Sequence, residues 1–137
     1  MTTNNATNPT PTSEQMRAAL QRYVDAINAR DTEAVVALYA QDATIEDPVG
    51  TPPIQGREAI AAFYGKVVPL GLKLKVVAPV RGSHGNSAAM AFEVEAPGPG
   101  GTRSLIRVID VMTFDAAGRF TSMKAYWAPD DASLLAA

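Results

Sequence analysis

The chain has no cysteine and a single histidine, His84, among 137 residues. Without thiols there are no disulfides and no thiolate nucleophile, a pattern that suits the cytoplasm, the expected location. One imidazole leaves no His/Cys metal set and little for a histidine-based triad, so no metal and no cofactor are expected. His84 itself falls in a Gly-Ser-His-Gly turn and reads as solvent-exposed. Long apolar runs are also missing: nothing approaches the roughly 20 residues that span a bilayer. Charge of either sign is scarce in excess, with 12 Lys/Arg against 14 Asp/Glu and no basic cluster. That argues against nucleic acid or an anionic membrane as partner. Residues Met1 to Thr12 lack the basic and apolar regions of a signal peptide and read as a disordered polar tail. Any chemistry must therefore come from carboxylates, phenols and the backbone.

What is present is an ordinary globular composition, 47% hydrophobic and 19% charged, with enough chain for one domain and a core. Thr12-Ser13-Glu14-Gln15 fits a capping box. Behind it Met16, Ala19, Leu20, Tyr23, Val24 and Ile27 form a one-sided helical stripe. Asp31 caps a second, shorter helix whose inner face is expected to carry Val35, Leu38 and Tyr39. Asp42 to Asp47 reads as a short strand with Ala43, Ile45 and Asp47 on one face, ended by Pro48 and Gly50. A third helix follows the turn-rich stretch to Gly56 and puts Ile60, Phe63, Tyr64 and Val67 on one side.

From Leu72 the period changes to two. Leu72, Leu74 and Val76 form one strand, Met90, Phe92 and Val94 a second, Ser104 to Phe114 a third and Arg119 to Trp127 a fourth. Pro97 to Gly101 and Asp115 to Gly118 supply turns. Three helices followed by an antiparallel meander predict an α+β domain over residues 13–128, its helices packed on a curved, mostly antiparallel sheet, with residues 129–137 as a tail. Helices and concave sheet face would enclose a pocket suited to an apolar ligand.

Asp110 breaks the longest strand. Its face-mates Ile106, Val108, Met112 and Phe114 are all large and apolar. A carboxylate there must find a cation or keep its proton and become a hydrogen-bond donor. Arg103 and Arg107 are the nearby cations, but Arg107 has the opposite strand parity. Two more polar groups fall on inward faces, Tyr23 and Asp47. Taken singly, a tyrosine on a helical stripe reads as a core residue and an Asp before Pro as a turn residue. The pattern thus turns Tyr23, Asp47 and Asp110 inward, and a neutral Asp110 could donate to a developing negative oxygen.

Five segments carry a resemblance: Gln21-Arg22-Tyr23-Val24, Ala40 through Gly50 with its Glu-Asp-Pro-Val-Gly block, Arg57 through Tyr64, Val108-Ile109-Asp110-Val111-Met112, and Met123 through Trp127. Together, from about Ser13 to Trp127, they resemble bacterial Δ5-3-ketosteroid isomerase, of the NTF2-like superfamily. The resemblance implies a cone-shaped NTF2-like (cystatin-like) fold, a steroid substrate and a homodimer formed through the sheet. It implies Asp47 as general base and Tyr23 and Asp110 as oxyanion donors; a neutral aspartic acid donor is an established feature of that family. Tyr39 and Tyr64 would support Tyr23, and Phe63, Met90, Phe92, Met112 and Trp127 would line the steroid cavity. The Pro97 to Gly101 loop is richer in Pro and Gly than the family pattern. Two other readings stay open: a polyketide cyclase-like or epoxide hydrolase-like enzyme on the same scaffold, and a non-catalytic carrier of a steroid or similar apolar molecule.

Overall fold

In the computed structural model, which describes residues 10–135, the expected capping box forms. The Thr12 hydroxyl accepts from the Gln15 amide at 3.0 Å, and the Gln15 side chain accepts from the Thr12 amide at 2.8 Å. These contacts satisfy amides that have no partner inside the helix. They start α1 (Ser13–Asn28), whose buried residues are the six of the sequence stripe. At its far end Asn28 clamps an edge strand, donating to the Leu74 carbonyl at 3.0 Å and accepting from the Leu74 amide at 2.7 Å. The helix is thereby held across the sheet at two points. Most of the expected tail before it lies outside the described residues.

Asp31 caps α2 (Thr32–Val36), which is shorter than its apolar spacing predicts. Leu38 and Tyr39 fit the helical repeat after Val35, yet Tyr39 opens strand β1 (Tyr39–Glu46). The misreading has a physical cause. The register of β1 shifts between Tyr39 and Thr44, so Tyr39 and Ala40 are both buried and Gln41 and Asp42 both exposed. That irregularity hides the alternation by which strands are recognised. Two-residue β2 (Ile54–Gln55) pairs with β1 inside the stretch expected to be all turn. Helix α3 (Arg57–Val67) follows as expected and buries Ile60 and Tyr64.

The meander is as expected: β3 (Lys73–Val76), β4 (Ser87–Pro97), β5 (Arg103–Phe114) and β6 (Phe120–Tyr126) pair antiparallel in succession. Gly118, at φ +83° in the β5–β6 turn, takes a conformation that other residues adopt at a cost. The full order is β2-β1-β6-β5-β4-β3, with β1 and β6 parallel. The result is the expected α+β architecture, a curved mixed sheet with helices on one face.

A second strand was not expected. The segment read as a tail, 129–137, supplies β7 (Ala132–Leu135), which pairs with β5 from Arg103 to Ile106. Strand β6 pairs with β5 only from Ile109 to Phe114. The long β5 thus changes partner midway, β6 flanking one half and β7 the other. No helix among the described residues is long and apolar enough to cross a membrane.

Candidate active site

Strand parity decides which side chains face the helices. On β5, Ile106, Val108, Asp110 and Met112 point inward; Arg107 and Ile109 point out and are exposed. Asp110 is 2% exposed and lies between Met90 of β4 and Ala125 of β6, both buried. Neither candidate cation reaches it. Arg107 is on the opposite face, opposite Glu93, and the Arg103 guanidinium lies 3.8 Å from Glu95. The Asp110 Oδ1 atom is buried and makes no hydrogen bond within the protein. Burial, followed by the charge of Asp47, pushes the Asp110 pKa well above the usual carboxylate range. The shift favours the neutral acid, and a neutral carboxyl is a donor.

Tyr23 projects from the inward stripe of α1 into the same cavity. Its hydroxyl lies 3.0 Å from that of Tyr64 on α3, and Tyr64 lies 2.6 Å from Tyr39 on β1. Three elements thus bring three phenols into one chain. Burial raises the pKa of all three well above the ordinary phenol value. After burial, the Tyr39 phenol and the Asp110 carboxyl add to the rise at Tyr23, against which the Tyr64 hydrogen bond eases ionisation; at Tyr64 the Tyr39 bond eases it against burial and Tyr23. Either hydroxyl of each pair can donate; an order in which Tyr39 donates to Tyr64 and Tyr64 to Tyr23 would leave the Tyr23 proton for a ligand. The Arg57 guanidinium donates to the Tyr39 backbone carbonyl and fixes the base of α3 against β1.

Asp47 stands where β1 gives out, just before the Pro48 turn, and also lines the cavity. Unlike Asp110 it is only partly buried and has a partner: the Trp127 indole N–H donates to its Oδ1 at 3.0 Å. Burial raises its pKa, and the indole pulls it back down. Of two acids on one cavity, the less buried and hydrogen-bonded one ionises more readily, and its charge would oppose ionisation of the other.

The cavity has a volume of about 260 Å3. Its polar groups (Tyr23, Asp47, Tyr64, Asp110 and the Trp127 indole) all belong to the floor end. Phe63, Phe92 and Trp127 line it as expected. Met90 and Met112 do not: both are buried in the core and absent from the cavity wall. Their parity is inward, but they lie on the far side of, or beside, Asp110 along the sheet, where side chains fill the cone. Tyr39 is likewise behind the wall, one phenol removed from Tyr23. The sequence reading missed Val67, Leu70, Leu72 and Ile106 as wall residues; their signal was the same inward parity, without any cue to depth.

The SnoaL-like domain model matches residues 20–123, which is most of the folded chain. The chain belongs to the SnoaL-like family. It is similar to a steroid Delta-isomerase of Nocardioides simplex, 44% identical over 119 residues, covering 87% of this chain and 94% of that protein. Isomerase kinship, and with it an enzyme, is thus what the sequence led one to expect. A second relative, epoxide hydrolase LasB of Streptomyces lasalocidi, is 30% identical over 114 residues, 81% of this chain and 40% of that protein. Among solved structures, the epoxide hydrolase/cyclase-like enzyme SalBIII, described in pyran ring formation in the polyether salinomycin, superposes with a TM-score of 0.83 at 28% identity. The superposition covers 89% of this chain and 97% of that one. One fold carries more than one chemistry, so function must be argued from the site.

Proposed function

We propose that the chain is a steroid Δ5-to-Δ4 isomerase acting on 3-oxo-Δ5 steroids. The observation that carries the reading is the buried, unpartnered Asp110 carboxyl sharing an apolar cavity with Tyr23 and with a second, ionisable acid. A binding protein has no need of a base set against two donors of such different character.

The carbon between a carbonyl and a β,γ double bond bears a weakly acidic proton. Asp47, ionised, takes it from C4; the electron pair moves into the carbonyl and yields a dienolate. Tyr23 and neutral Asp110 donate to that oxygen, where each donor of this kind is worth about 2.7–4 kcal/mol in a water-poor site. The proton on Asp47 then passes to C6, the pair returns from oxygen, and the conjugated Δ4 enone is left. One carboxylate serves both transfers, so no proton is consumed. Separate protonation states of the two acids assign the roles, a rule that holds across acid–base enzymes.

The test is direct. Mixing the protein with 5-androstene-3,17-dione should produce the ultraviolet absorbance of the conjugated enone at a rate proportional to enzyme. No enone above the buffer rate would reject the isomerase. The similarity to LasB and SalBIII favours a second reading, in which Asp47 activates a hydroxyl and neutral Asp110 protonates an epoxide oxygen. Turnover of an epoxy-alcohol without enone formation would select it.

Two wider expectations belong here. A homodimer through the outer sheet face is supported by exposed Val77, Ile109 and Tyr126, at 51%, 49% and 48% exposure, an apolar concentration that surfaces usually cover. A cytoplasmic location is supported by the lack of cysteine.

A further inference from the structure

The cavity is polar at one end only. Beyond Phe92 and Val108 its wall is Val67, Leu70, Leu72, Val94, Ala96 and Ile106, with no side-chain donor or acceptor among them. A ligand whose oxygen sits at the floor therefore turns its other end toward this mouth.

The apolar surface does not stop there. Partners in a sheet share a face, so the register Ala96↔Ser104↔Leu134 sets Leu134 of β7 on the same inward face as Ile106. The row before it, Val94↔Ile106↔Ala132, belongs to the mouth. Small residues (Ala96, Ser104, Ala132) thus leave a shallow trough continuing out of the cavity, with Leu134 on its β7 side. On the helical side stands Leu70. The following residue, Gly71, accepts through its carbonyl from Arg103, and Arg103 is the β-partner of Leu135. Both borders of the trough are therefore tied to the start of β5. Leu70 and Leu134 are 54% and 63% exposed, which makes them large apolar side chains left uncovered beside an apolar cavity.

Resting on the steroid reading of the floor, we propose that the preferred substrates carry an aliphatic chain on the ring remote from the 3-oxo group, lying in the trough between Leu70 and Leu134. A polar group at that position finds the Ser104 hydroxyl alone among the trough residues, whereas a hydrocarbon chain covers both leucines and gains by burial.

Trp127, the single tryptophan, lines the cavity and reports binding by fluorescence whether or not turnover occurs. Titrate it with cholest-4-en-3-one and with 4-androstene-3,17-dione at one fixed cyclodextrin concentration, on the parent chain and on Leu134→Gln and Leu70→Gln. Taking the ratio between parent and variant cancels the carrier. The affinity ratio of tailed to tailless ligand should fall by about tenfold in each variant, the effect of losing one leucine-sized apolar contact. Equal weakening of both ligands in Leu134→Gln, or a tailed ligand that does not bind the parent chain, overturns the proposal. Absence of enone from 5-androstene-3,17-dione with the tail preference intact would instead remove the isomerase reading and leave the trough as a ligand feature.

Discussion

Asp47 and Asp110 are the same side chain in two solvents. Asp110 sits mid-strand, walled by Met90, Val108, Met112 and Ala125, and has an oxygen with no partner. Asp47 sits where a strand ends, partly exposed, with an indole N–H on one oxygen. The covalent chemistry is identical; on the isomerase reading, backbone placement alone would make one the proton acceptor and the other the proton donor. The inward face in the middle of a strand is shut off from water, and a strand end is not. Exchange of the two environments would exchange the two roles.

The largest effect expected from breaking this contrast is at Asp47. Asp47→Asn removes the base while keeping the shape, and steady-state enone formation should fall toward the upper end of the about 10²–10⁴-fold range for a lost general base. A loss under tenfold would mean another group takes the proton. Next come the donors. Asp110→Leu and Tyr23→Phe should each lower kcat by about 10²–10³-fold, with KM for a neutral steroid little changed. Asp110→Asn is the sharper experiment, because an amide still donates: roughly a tenfold loss is expected, in keeping with a weaker neutral hydrogen bond. If Asp110→Asn and Asp110→Leu are equally impaired, donation is not what Asp110 contributes.

How far could these roles be read from the residues alone? The β5 strand was legible because its inward positions from Ile106 to Phe114 are apolar except at Asp110, and α1 because its stripe and cap agree. The start of β1 was not, since a register shift places two buried residues side by side and imitates a helical step. Nor was β7, four residues whose only signal is the strand they pair with. Met90 and Met112 show the same limit inside the site: alternation tells which face a side chain takes, but not how deep in the cone it lies. The pairing of Trp127 with Asp47, 80 residues apart, is a fact of three dimensions.

Smaller effects concern pH. The Trp127 hydrogen bond lowers the Asp47 pKa against burial, so Trp127→Phe should move the acid limb of kcat/KM to higher pH. An unmoved limb would detach that limb from Asp47. For stability the sign runs the other way from an ion-paired acid. Asp110 binds its proton more tightly folded than unfolded, so its contribution is complete below the unfolded pKa and declines as pH rises through the raised folded value. Denaturant midpoints of the parent chain should therefore drop across that interval relative to Asp110→Asn. Parallel curves would show that Asp110 has the same proton affinity folded and unfolded.

The handover along β5 separates two kinds of change. The half that holds Asp110 is braced by β6, and the half beside the cavity's opening by β7. Alterations in the closing strand can therefore reshape the opening while the ladder around Asp110 stays in place.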